Sequence, residues 1–166
     1  MPKAISDSST LIHLSSIGRL ELLYTFYDNL IIPPAVWEEV VIEGKGRAGA
    51  LQVKEGVDQG LIKIQSPEEN DVLKLLKREL NDGEAEVIAL AVEDRTADVL
   101  MDEFEARQVA NVFNLVKTGV VGILIRAKQQ GIIPSLRSEL ERLRLEAGFW
   151  IDDELISKAL KLSGDE

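Results

Sequence analysis

The sequence predicts an α/β protein, a three-layer α/β/α sandwich around a mainly parallel sheet of about five strands. Three observations lead there. Short apolar runs rich in Ile, Leu and Val alternate with longer stretches of helical period. The runs are spaced by helix-length segments, as crossovers between parallel strands require. Helix-starting residues follow the first runs at once: Asp7-Ser8-Ser9-Thr10 after one, Pro33-Pro34 after the next.

Taken in order, a strand at 3–6 leads into helical stretches at 9–17 and 19–26. Leu30-Ile31-Ile32 is a second short strand. Pro34 suits the first turn of a helix over 34–42, since its missing N–H would be unpaired there anyway. The glycine-rich 44–50 is a loop, 48–59 reads as helix, and 61–65 alternates like a strand. Helices are expected at 69–80 and 83–94, a strand at 97–101, a helix at 103–112 and a short strand at 114–116. Helix then runs from Gly119 to Gln130, with Gly131 ending it. The tail carries two more helical stretches, 134–147 and 152–162. Leu136, Leu140, Leu143 and Ala147 recur there at helical spacing between charges, so the stripe must be buried on the chain's own body or on a partner. Packing on the body is the expectation. The whole of 1–166 then forms a single domain with a helical extension from about 134 to 166.

Composition removes several functions. The chain has no cysteine, so it has no disulfide, thiolate metal site or cysteine nucleophile. Its single histidine, His13, cannot build a histidine metal cluster, and its place in an apolar helix reads as packing rather than ligation. The net charge of −10 argues against a broad basic face that grips nucleic acid by phosphate neutralisation alone. No apolar run approaches the roughly 18 residues that span a bilayer. No secretion-signal pattern is visible, and a cytoplasmic location is expected. An aspartate-nucleophile phosphatase would need Asp-x-Asp, but Ser9 stands at the second position. A dinucleotide fold would need a glycine-rich first turn, and Asp-Ser-Ser-Thr has no glycine. Trp37 and Trp150 read as core or interface residues, and Lys45 and Arg47 as part of a solvated loop.

What remains is a set of carboxylates at the ends of strands. Asp7 closes the first. Glu38 and Glu39 follow the second, and periodicity does not choose between them. Glu84 lies in the first turn of an apolar helix, and Asp102-Glu103 ends the fourth strand. In a parallel sheet these ends face one side, so the carboxylates can converge. Each residue alone also fits a plain helix-capping or helix-dipole role. Together, crowded carboxylates repel unless a cation sits among them, and all-oxygen ligation suits Mg²⁺ or Mn²⁺.

The segments AISDSSTLIHL, IIPPAVWEEV, LNDGEAEVIALA and VLMDEFEAR, with KTGVVGIL and GFWI later, resemble in this order the PIN domain family. The resemblance spans nearly the whole chain and is closest to a branch related to toxin nucleases. It implies a divalent-metal-dependent ribonuclease that hydrolyses RNA phosphodiester bonds, with an antitoxin protein as a partner and a homodimer as the working form. It assigns Asp7, Glu39, Glu84 and Asp102 to an Mg²⁺ or Mn²⁺ site and Ser9 to orienting a ligand. Glu103 stays beside Asp102 as the other candidate for the fourth acidic position. Glu84 stands where many members have Asp, so its longer side chain must reach the site through a different rotamer. The alternative is a non-catalytic PIN-like module that acts through a protein partner.

Overall fold

The first strand of the chain is the central strand of the sheet. In the computed structural model, which describes residues 2–165, strand β1 (Lys3–Ser6) pairs on one side with β2 (Asn29–Ile32) and on the other with β4 (Asp98–Leu100). Strands β3 (Ile62–Ile64) and β5 (Lys117–Thr118) complete the order β3-β2-β1-β4-β5, and every pairing is parallel. Ala4, Ile5, Leu30, Ile32, Val99 and Leu100 are all buried. Strands covered on both faces need near-continuous apolar runs, which these short segments supply.

Helices α1 (Ser8–Ser16) and α2 (Glu21–Phe26) connect β1 to β2. Helix α3 (Pro34–Trp37) continues as a π-helical segment over Glu38–Glu43, and α4 (Ala50–Asp58) completes the second crossover. Helices α5 (Asp71–Glu79) and α6 (Asp82–Glu93) return the chain to β4, and α7 (Phe104–Val112) leads to β5. Right-handed crossovers in opposite directions across the sheet place α1 and α2 on one face and α5, α6 and α7 on the other. Helix α8 (Val120–Gln129) packs against α1 and α2, which closes the three-layer sandwich. Capping follows the sequence: Asn70 accepts from the Leu73 N–H at 3.0 Å, and Asn81 from the Glu84 N–H at 2.8 Å.

Two elements differ from the sequence expectation. The fifth strand lies at Lys117–Thr118 rather than at 114–116. The end of α7 consumes those residues instead. Asn114 takes a left-handed φ of 58°, and the Leu115 N–H donates back to the Ala110 carbonyl at 3.2 Å. Such a reversal satisfies the last helical carbonyls and delays the strand. The helix expected over 34–42 changes from α to π after Trp37. Wider turns of this kind re-aim side chains, and they recur at functional positions.

The tail packs on the body. In α9 (Leu136–Glu146), Leu136, Leu140 and Leu143 are fully buried, and Ala147 is half-buried behind them. Glu139 on the same face is buried as well, and it pairs with Arg19 at 2.6 Å. Helix α10 (Asp153–Ser163) packs on α8 and α9. The apolar stripe is thus used within the chain. Leu140→Ala is expected to cost about 2–5 kcal/mol, measured by urea unfolding, and a chain cut after Ile133 is expected to lose cooperative folding. Among the described residues, no helix is long and apolar enough to cross a membrane.

Candidate active site

Connections leave β1 and β4 in opposite directions, so a crevice opens beyond the carboxyl ends of these neighbouring strands. Asp7 stands in it. Its N–H donates to the Leu100 carbonyl at 3.0 Å, which extends the β1–β4 pairing by one residue and fixes the side chain at the edge. The residue is only 3% exposed. Oδ1 accepts from the Thr10 N–H at 3.1 Å and Oδ2 from the Ser9 hydroxyl at 2.9 Å. The capping role is therefore real, and the same residue also faces the cleft. Burial pushes the Asp7 carboxyl up to about 7, and the nearby negative charge of Asp102 adds to the rise.

Glu39 comes from the π-helical turn. The Ser8 hydroxyl donates to its Oε2 at 2.8 Å, tying the turn to the start of α1. Helix α3 is held in turn by α6. Buried Glu86 accepts from the Ala35 N–H at 3.1 Å and pairs with Lys77 at 3.3 Å. Gly83 lets α6 come close, since a Cβ there would lie 3.3 Å from Val36 Cγ2 and 3.6 Å from Glu39 Oε2. Of the two glutamates that periodicity does not separate, Glu39 lines the crevice, and both Glu38 and Glu39 line an adjoining depression of about 310 Å³. Glu84, in the first turn of α6, is half-buried. Burial raises its carboxyl above the ordinary range, and the charges of Glu103, Glu39 and Glu105 raise it further.

The acidic pair after β4 divides. Asp102 turns inward, with its side chain 6% exposed. Its Oδ1 accepts from the Val120 N–H at 2.8 Å, and its Oδ2 from the Thr10 hydroxyl at 3.0 Å. His13 Nδ1 lies 3.3 Å from the same oxygen. A Cβ at Gly119 would lie 2.5 Å from Oδ1, so the start of α8 reaches this carboxylate because residue 119 is glycine. Glu103 is exposed and lines the cleft instead. Strand β4 stops at Leu100, so Asp102 follows the strand rather than ending it; its hydrogen bonds tie this turn to α1 and α8, and Glu103 is the member of the pair that lines the crevice.

The cleft is about 520 Å³ in volume. Five carboxylates line it, those of Asp7, Glu39, Glu84, Glu103 and Glu105, and neither lysine nor arginine does. Ser9 and Phe104 share its wall. Among the described residues no three acidic or histidine side chains stand close enough to hold a metal ion as they are placed. The donor set is nonetheless all oxygen. Glu39, Glu84 and Glu103 are long side chains on helical or strand-end positions, with three torsions each to bring their oxygens together.

Sequence reasoning missed Thr10, His13 and Glu105. Thr10 and His13 follow Asp7 at steps of three, which puts them on one face of α1 toward the end of β4. His13 also packs on Phe149, with ring centroids 4.5 Å apart, so the tail reaches the back of the site. Trp37 packs against the core as expected, Trp150 is 81% exposed and so is not a core residue, and Lys45 and Arg47 lie in an exposed loop. A protein-family model described as a PIN domain matches residues 3–165. No curated protein gives a significant match.

Proposed function

The chain belongs to the PIN domain family, a nuclease-type fold, and on that premise we propose that it is a divalent-metal-dependent endoribonuclease acting at the β1/β4 crevice. The observation that carries this reading is the cleft itself: five carboxylates, no basic side chain, and a position beyond the carboxyl ends of adjacent parallel strands. A phosphodiester is repelled from such a surface unless a cation intervenes. Asp7, Glu39 and Glu84 would hold Mg²⁺ or Mn²⁺, with the fourth position supplied by the Asp102-Glu103 pair. When bound, the ion supplies charge neutralisation at the phosphate and activation of water.

The chain's own residues fix the geometry around that position. Ser9 and the Thr10 N–H hold the two oxygens of Asp7 in place, and Ser8 holds Glu39. Asp102 fixes the start of α8 and the face of α1 relative to β4, so Asp7 and Glu103 keep their separation. Glu84, with its carboxyl raised by burial and neighbouring charge, can hold a proton at higher pH than an ordinary glutamate.

Incubating the protein with a mixed-sequence single-stranded RNA and Mn²⁺ should give cleavage that EDTA abolishes and that Glu84→Gln reduces by about 10²-fold or more. Mn²⁺ should also raise the melting temperature, more at pH 8 than at pH 6, because the ion binds deprotonated carboxylates. No cleavage and no thermal shift would favour a PIN-like binding module instead. Within the nuclease reading, the chain is the cytoplasmic toxin half of a toxin–antitoxin pair and acts as a homodimer. Growth arrest on expression, relieved by the product of a neighbouring small reading frame, tests the first point. The mass from light scattering tests the second.

A further inference from the structure

We propose that Phe104 is a base-stacking platform that selects single-stranded nucleic acid with an unpaired base at the cleft. This rests on the nuclease reading of the same site and adds the form of substrate it takes. Phe104 is 71% exposed and lines the cleft beside Glu103 and Glu105. The core face of α7 is formed by Ala106 and Ala110, which are buried, so the ring points away from the packing its helix makes. The other strongly exposed aromatic, Trp150 at 81%, has the guanidinium of Arg144 over its ring at 5.5 Å. Among the described residues no ring or cation stacks on Phe104.

The charge of the cleft explains why such a ring would be needed. Nucleic-acid binders usually draw most of their affinity from lysine and arginine on phosphates, and this cleft has neither. Stacking on an aromatic face is independent of charge and tolerant of sequence, because every base has a π-face. It requires a base unstacked from at least one neighbour. A duplex does not offer one, whereas a single strand or a loop does.

The test is binding of a fluorescent RNA 12-mer in Ca²⁺, read by anisotropy, alongside cleavage in Mn²⁺. Phe104→Ala is expected to weaken binding roughly 5- to 150-fold, the range of one lost base stack. Phe104→Trp should restore it and Phe104→Leu should not. An abasic nucleotide at one position of the strand should bring wild type down to the level of Phe104→Ala, and a duplex of the same sequence should bind more weakly than the single strand. At 71% exposure these substitutions leave the core untouched. Equal binding by wild type, Phe104→Ala and Phe104→Leu overturns the proposal. So does equal binding of single strand and duplex, or no binding by wild type, which would leave the ring to a protein partner. Binding without cleavage would sink the nuclease reading and leave the stacking intact. Cleavage with KM unchanged in Phe104→Ala would do the reverse.

Discussion

Asp7→Asn is expected to lower RNA cleavage by about 10²- to 10⁴-fold while making the protein more stable at pH 8. The two effects have one cause. The carboxyl is raised from 3.8 to about 7 by burial, with Asp102 adding to the rise. A raised carboxyl binds its proton more tightly in the folded chain than in the unfolded one. The stability this contributes is fully present below pH 3.8 and is lost as pH rises through about 7. At pH 8 the ionised group is a net cost on the order of 4 kcal/mol, the rise from 3.8 to about 7 converted at about 1.4 kcal/mol per unit. Asparagine is uncharged, nearly the same shape, and keeps an oxygen for the Thr10 N–H. Urea unfolding between pH 5 and pH 8 should show wild type losing stability and Asp7→Asn staying nearly level. Mn²⁺ should raise the melting temperature of wild type only. A variant that is destabilised at pH 8 would mean that capping outweighs the buried charge.

Asp102→Ala is expected to lose both stability and activity. Its carboxylate accepts from the Val120 N–H and the Thr10 hydroxyl and contacts His13. Truncation leaves these groups without their acceptor where water has little access, at a cost on the order of 3 to 5 kcal/mol. Glu103→Gln, one residue on, changes an exposed side chain. It should alter stability by no more than about 0.5 kcal/mol while reducing cleavage. Chemical unfolding of the two variants, with cleavage measured in parallel, separates the brace from the cleft-facing acid. Equal stability of the two would show that the inward bonds of Asp102 contribute little.

The parts of the fold written in local pattern were readable from residues. The buried runs of β1 and β2, Pro34 at a helix start, Gly131 at a helix end and the apolar stripe of α9 each signal their structure within a few positions. The placement of β5 was not, because Asn114 adopts a left-handed turn that many sequences could replace with a strand start. The site divides in the same way. Asp7, Glu39 and Glu84 occupy strand-end and first-turn positions that the βαβ pattern sends to one edge. Whether Asp102 or Glu103 faces the cleft depends on how close α8 comes, which Gly119 permits but does not announce. His13 was read as packing, and it does pack on Phe149. Its contact with Asp102 joins residues 89 positions apart, and no local rule contains that pairing.

The absence of lysine and arginine from the cleft wall has a consequence for encounter rates. A chain of net charge −10 and an RNA strand approach as like-charged bodies. At about 10 mM ionic strength the repulsion extends over roughly 30 Å, and at 100 mM over roughly 10 Å. Raising monovalent salt at fixed Mn²⁺ should therefore speed association over this range, where a basic nucleic-acid binder is slowed. Stopped-flow traces with a labelled strand at stepped KCl concentrations would read the sign of that slope directly. A rate that falls with added salt would mean that the strand first meets a positive surface outside the cleft.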